Sequence, residues 1–182
     1  MARDAAVIPE GDILWNFSVT DMIYITLGTQ NNDFTRCLKE FEKVVENYHI
    51  TEEVVAQKGY TKYAPEGFTC LDFVSETDYQ KYIAEASVVV SHAGSGALFS
   101  SIKKGKKIIA VARLAKYGEM VNDHQTELVK KLSEEGYLVD GTYDMASAWE
   151  KIQDFVPNDS PIECGIVNVI DKMLQGWEIK ER

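Results

Sequence analysis

From Met22 the chain alternates between short apolar runs and segments with helical spacing. "MIYITLGT" (22–29) is a β-branched run closed by a glycine turn, and Phe34, Leu38, Phe41, Val44 and Val45 then recur at the spacing of one helix face. "EEVVAQ" and "TCLDFV" read as further strands, followed by a helix over 77–86, the strand "SVVVSHA", a helix over 96–104 and the strand "KIIAVAR". A long helix over 123–135, the strand "YLVD" and helices over 144–154 and 162–175 close the pattern. Several strands are apolar on both faces, as in a parallel sheet covered by helices on either side. The pattern therefore predicts an α/β fold: a doubly wound, mainly parallel, Rossmann-like sheet.

Composition narrows the class. The 182 residues are 45% hydrophobic and 26% charged, the make-up of one domain with a single core. Residues 22–182 are assigned to that domain. Residues 1–21, with "ILWNF", stand apart as an N-terminal appendage, because a compact α/β unit can begin at Met22. The longest apolar stretches are strand-length, short of the roughly 20 residues a membrane-spanning helix needs. With Pro9, Gly11 and Asp12 interrupting the N-terminus, no secretory leader is read, and the expected location is cytoplasmic.

The three cysteines, Cys37, Cys70 and Cys164, are odd in number and widely spaced, so they read as reduced and structural. A formal net charge of −10 argues against nucleic acid as a partner. Any anionic ligand must be held locally. The basic run Lys103, Lys104, Lys106 and Lys107 falls in a helix-to-strand turn and reads as solvated surface.

Candidate chemistry gathers at strand ends. In open α/β sheets ligands bind beyond the carboxyl ends of the strands, where the strand order reverses. The strand ending at His92 is followed by Ala93-Gly94-Ser95-Gly96, small residues that let a backbone approach a ligand and open a helix with free N–H groups. The same glycines also suit a tight turn with close helix–sheet packing. Three further features point to that crevice: the Gly28-Thr29-Gln30 turn after the first strand, Arg113 at the end of "KIIAVAR", and His124-Gln125 in the first turn after "ND". A guanidinium at Arg113 could meet a phosphate bidentately. Asn122 or Asp123 serves as helix cap, and His124 is either a ligand contact or a structural histidine.

Rival chemistries lack their residues. Phe99 stands where a G-x-G-x-x-G fingerprint wants its third glycine, no G-K-[ST] follows, and Ala93 and Ala97 flank Ser95 where a nucleophile elbow wants glycines. His92 and His124 have no cysteine or carboxylate at ligand spacing, so no metal is expected.

"VVVSHAGSGALFSSIKKGKKIIAVAR" and "YGEMVNDHQTELVKKLSEEGYLV" resemble the C-terminal, donor-binding domain of family 28 glycosyltransferases, over about Met22–Val139. The likeness extends to stand-alone catalytic subunits of two-part UDP-sugar transferases, and "KYGEMVNDHQ" is most similar to the bacterial capsule and exopolysaccharide type. The resemblance implies half of a GT-B enzyme: a UDP-sugar as donor substrate, no separate cofactor, a membrane-anchored partner subunit that binds the acceptor, and a lipid-linked saccharide as acceptor. It places the chain at the cytoplasmic face of a membrane through that partner. It implies that Gly28, Thr29, Gly94, Ser95 and Gly96 hold the diphosphate and that Phe73 and Val74 receive the uracil. Glu119, His124 and Gln125 would contact sugar or ribose hydroxyls. His92 and Glu119 are the catalytic candidates, His92 as general base, although relatives with both halves in one chain usually carry that base on the other half. One departure stands out: many relatives have a ribose-gripping glutamate where this chain has Ser100, and Glu119 could compensate.

The alternative is a non-catalytic nucleotide-sugar-binding module that stabilises a partner. For partner contact, two apolar features qualify: the stripe Ile166, Val169, Ile170, Met173, Leu174 and Trp177, which could equally pack on the sheet, and Trp15 with Phe17 in the N-terminal arm.

Overall fold

The computed structural model describes residues 22–160. The N-terminal appendage, Cys164 and the helix expected over 162–175 with its apolar stripe lie outside the described residues. Among the described residues six strands form one parallel sheet: β1 (Met22–Thr26), β2 (Glu53–Gln57), β3 (Thr69–Leu71), β4 (Ala86–His92), β5 (Lys107–Val111) and β6 (Val139–Asp140). Their order across the sheet is β3-β2-β1-β4-β5-β6. The winding reverses between β1 and β4, so the crevice of a doubly wound sheet must open between the loops that follow those two strands.

Five α-helices, among the described residues, connect or follow the strands: α1 (Thr35–Tyr48), α2 (Glu76–Glu85), α3 (Ser95–Lys103), α4 (His124–Glu134) and α5 (Met145–Gln153). Successive strand residues point to opposite faces. On β1, Ile23 and Ile25 join Val90 and Ile109 under α1 and α5, where Phe41, Leu38, Trp149 and Ile152 complete one core. Tyr24 and Met22 face the other way, onto Ile83 and Val89 beside α2. The same face continues under α3 and α4, where Leu98, Leu128 and Leu132 pack on Ile108 and Ala110. Two apolar faces per strand are what the sequence pattern required of a sheet buried on both sides.

Three local features differ from the sequence reading. The strand expected over "TCLDFV" ends at Leu71, because among the described residues β3 is an edge strand that pairs only with β2; Asp72, Phe73 and Val74 then leave the sheet. Strand β4 starts at Ala86 directly from α2 with no intervening loop. A single 3-10 turn, Ala115–Tyr117, lies between β5 and α4, and Asp123 at the α4 N-cap position gives its carboxylate to the Ala115 N–H (2.7 Å) rather than to the helix.

Candidate active site

The loops after β1 and β4 meet on one rim of the sheet and enclose a crevice of about 410 Å3, within the range of small-ligand pockets. Gly28, Thr29 and Gln30 line it from one side, His92 to Ala97 from the other, with Val74, Glu76 and Tyr79 on the flank of α2 and Gln125 on the flank of α4.

His92 is the hinge of this arrangement. Its Nδ1 lies 3.1 Å from the Thr26 carbonyl oxygen, an acceptor only, so the neutral ring carries its proton on Nδ1 and presents a lone pair on Nε2. Burial pushes its pKa down to about 4, against the pull of the Thr26 carbonyl. The ring is wedged between both glycine turns: a Cβ on Gly28 would fall 2.4 Å from His92 Nε2, and one on Gly94 would fall 2.3 Å from the same atom. Gly28 also has φ +75°, the left-handed region that favours glycine. Thus the two glycines are required first by the histidine between them.

Helix α3 starts at Ser95 with Gly94 in extended conformation and no side-chain cap. The first helical bond runs from Leu98 N–H to the Gly94 carbonyl (3.1 Å), so the N–H groups of Ser95, Gly96 and Ala97 precede it and face the ligand edge with the positive end of the helix dipole. The Gly94 N–H is committed to the His92 carbonyl (2.7 Å).

Arg113 is a correction. Its guanidinium does not enter the crevice: the residue is 1% exposed and its Nη1 and Nη2 donate to the carbonyls of Asn32 (2.9 Å) and Leu27 (2.8 Å). It lies 4.5 Å from the centroid of the Phe34 ring. The β5 end points under the β1–α1 loop, whose turned carbonyls would otherwise be buried without donors. Arg113 therefore pins the loop that carries Gly28 to Gln30, and phosphate contact is closed to it.

Glu119 is a second correction. At 4% exposed, it gives Oε1 to Arg36 Nε (2.9 Å) and Oε2 to both Arg36 Nη2 (2.9 Å) and the Leu114 N–H (2.9 Å). Arg36 also donates to the carbonyls of Thr142 and Ala112. Both carboxylate oxygens are engaged in a buried brace that joins α1 to the loops after β5 and β6, and Glu119 is not among the residues that line the crevice.

Gln125 lines the crevice with its side-chain oxygen held by the Arg113 N–H (2.9 Å), which leaves its amide N–H groups to offer. His124, one residue earlier, is exposed and outside the lining, its N–H near Asn122 Oδ1 (3.3 Å). Val74 lines the crevice, whereas Phe73 stands outside the lining at 49% exposed, edge-on to Tyr60. Ser100 faces Gln80 of α2 (3.2 Å) instead of the crevice.

The sequence reading missed Gln57, Glu76 and Tyr79. Gln57 closes β2 at its carboxyl end, the same signal that singled out His92, and its Oε1 accepts from the buried Tyr24 hydroxyl (3.1 Å). Glu76 follows the α2 cap Ser75 and was hidden in an ordinary helix-start pattern. Gln30 Oε1 is buried without a hydrogen-bond partner among the described residues.

The chain is 28% identical over 123 residues to the human UDP-N-acetylglucosamine transferase subunit ALG13, a match covering 64% of this chain and 10% of that protein. The counterpart in Debaryomyces hansenii is 32% identical over 66 residues, covering 36% of this chain and 29% of that protein. The chain thus spans about a tenth of the length of the mammalian relatives it matches. Among solved structures, a solution structure of ALG13 superposes with a TM-score of 0.55 at 15% identity, covering 79% of this chain and 90% of that one. MurG of Acinetobacter baumannii gives 0.52 at 17% identity, covering 72% and 41%. These two show a shared fold. The family model described as the glycosyltransferase family 28 C-terminal domain matches residues 22–173, and the chain belongs to that family.

Proposed function

We propose that this chain is the catalytic, donor-binding subunit of an inverting glycosyltransferase that moves a hexose from a UDP-sugar to a lipid-linked saccharide, working with a membrane-anchored acceptor-binding subunit. The observation that carries the reading is the meeting of two backbone turns and the α3 N-terminus around one crevice at the β1/β4 reversal. The names of the matched relatives make UDP-N-acetylglucosamine the first donor to test.

In this reading the N–H groups of Ser95, Gly96 and Ala97, with the hydroxyls of Ser95 and Thr29, hold the diphosphate and stabilise the charge that grows on it as the glycosidic bond breaks. The amide of Gln125 donates to a sugar hydroxyl, and Val74 borders the base. No lysine or arginine lines the crevice among the described residues, so backbone dipoles carry the electrostatic work. His92, with its pKa near 4, is mismatched to carry a full proton at neutral pH and serves instead as a hydrogen-bond acceptor. The base that deprotonates the acceptor then belongs to the partner half. His124, on the same helix start as Gln125, is kept as a residue that contacts the donor once the partner closes over the rim.

Among the described residues no helix is long and apolar enough to cross a membrane. Large apolar side chains stand exposed around the same carboxyl rim: Tyr60 after β2, Phe73 after β3, Tyr117 and Val121 after β5, and Tyr143 after β6. That rim is the surface a second half would cover.

Titration calorimetry with UDP and UDP-N-acetylglucosamine tests the reading. Binding of UDP in the micromolar to millimolar range is expected, and absence of heat at millimolar nucleotide overturns it. Transfer by the chain co-expressed with a single-span membrane partner is the second test. Nucleotide binding without transfer or hydrolysis by that pair would favour the non-catalytic module, the reading that the engaged carboxylate of Glu119 supports.

A further inference from the structure

Among the described residues that line the crevice, Glu76 is the one acidic or basic side chain besides the histidine His92. A carboxylate in a crevice whose other wall is built from α3 N–H groups divides the site into two ends of opposite character. An anion is drawn to the α3 end and repelled from the α2 end. What a carboxylate holds well is a pair of adjacent hydroxyls, because both O–H groups donate to charged oxygens and the bonds are charge-assisted.

The side chain is prepared for this. Glu76 sits in the first turn of α2, and its Oε1 accepts from Gln80 Nε2 (2.8 Å). Gln80 is in turn held by Ser100 Oγ of α3 (3.2 Å). The Ser100–Gln80 contact thus ties α3 to α2 and steadies one carboxylate oxygen, while Oε2 has no protein donor among the described residues.

We propose that Glu76 takes a pair of adjacent hydroxyls of the ligand, positioned by Gln80 and Ser100, while its diphosphate lies at the α3 N-terminus. The assignment rests on the donor-site reading above and adds to it a polarity of the bound nucleotide sugar and a residue that recognises it. Two portions of such a ligand carry adjacent hydroxyls, the ribose and the hexose, and the test separates them.

Calorimetry of the intact chain and of Glu76→Gln is run with UDP, 2′-deoxy-UDP, a UDP-hexose and inorganic pyrophosphate, with melting temperatures recorded to confirm folding. Loss of a charge-assisted pair is expected to weaken hydroxyl-bearing ligands by about tenfold or more. Pyrophosphate, which has no hydroxyl pair, should bind E76Q as well as or better than it binds the parent. If the ribose is the source, 2′-deoxy-UDP binds the parent weakly and E76Q no worse. If the hexose is the source, UDP and its deoxy form are unaffected and the UDP-hexose loses its advantage over UDP. Unchanged affinity for every nucleotide, or an equal loss for pyrophosphate, overturns the proposal. A parent chain that binds neither UDP nor pyrophosphate overturns the donor-site reading beneath it.

Discussion

At the scale of single residues, His92 dictates its neighbours. Gly94 has no positive φ, so its requirement for glycine comes from the imidazole and not from the backbone. Gly94→Ala should destabilise by about 1–3 kcal/mol through overpacking, and His92→Ala should remove most of that cost. Denaturant melts of the two single variants and the double variant measure the coupling; additive effects would refute the contact. The depressed pKa of the same ring has a pH signature. Because the folded value, about 4, lies below the ordinary 6.5, the ring's contribution to stability is complete above pH 6.5 and is lost as the pH falls toward 4. Across that window the parent should carry an extra slope approaching about 1.4 kcal/mol per pH unit that His92→Asn lacks. Equal slopes would show that the ring is not desolvated. Cys37 offers a simpler check: burial pushes its thiol up to about 12, so iodoacetamide should spare it in the native chain and label it after denaturation.

At the scale of elements, two arginines hold loops that the sequence made look free. Arg113 ties β5 to the β1–α1 loop, and Arg36 ties α1 to the loops after β5 and β6 through Glu119. Removing one member of a buried pair leaves the other charge uncompensated, which costs about 3 kcal/mol or more. Glu119→Gln should therefore lower the melting temperature by roughly 6–12 °C, given the usual sensitivity of domains near this size. A melting temperature unchanged within about 2 °C would return Glu119 to the list of available carboxylates. The order of strands and helices was legible in the alternation of apolar runs with helical spacing, and so was the pairing of the Gly28 and Gly94 turns on one rim. The destinations of Arg113 and Glu119 were not, since a charged residue after a strand looks the same in sequence whether it meets a ligand or a buried partner elsewhere in the chain.

At the scale of the whole molecule, charge and site work against each other. The chain carries a formal charge of −10, and the crevice has no basic side chain among the described residues to offset it. Long-range repulsion of an anionic nucleotide is screened by salt over about 10 Å at 0.1 M. Affinity for UDP should hold or rise as salt is raised from about 0.01 M to about 0.15 M. A steep fall, the behaviour of a site built from lysine and arginine, would point to a cation not identified in the crevice. The exposed arc of Tyr60, Phe73, Tyr117, Val121 and Tyr143 belongs to this scale too, since its residues come from four strand ends and form a rim only in the folded sheet.

The sequence by itself determined the parallel sheet, the two-faced core and the place of the crevice, because hydrophobic periodicity and glycine turns are local signals that each segment carries alone. It also carried the family likeness in "SHAGSG" and "NDHQ". Only the tertiary structure decided which polar side chains face the crevice. Arg113 and Glu119 turn inward because buried carbonyls and an opposing charge, contributed by residues dozens of positions away, bind them more strongly than open solvent does. Glu76 turns toward the crevice because α2 lies beside α3, a juxtaposition set by packing across the sheet.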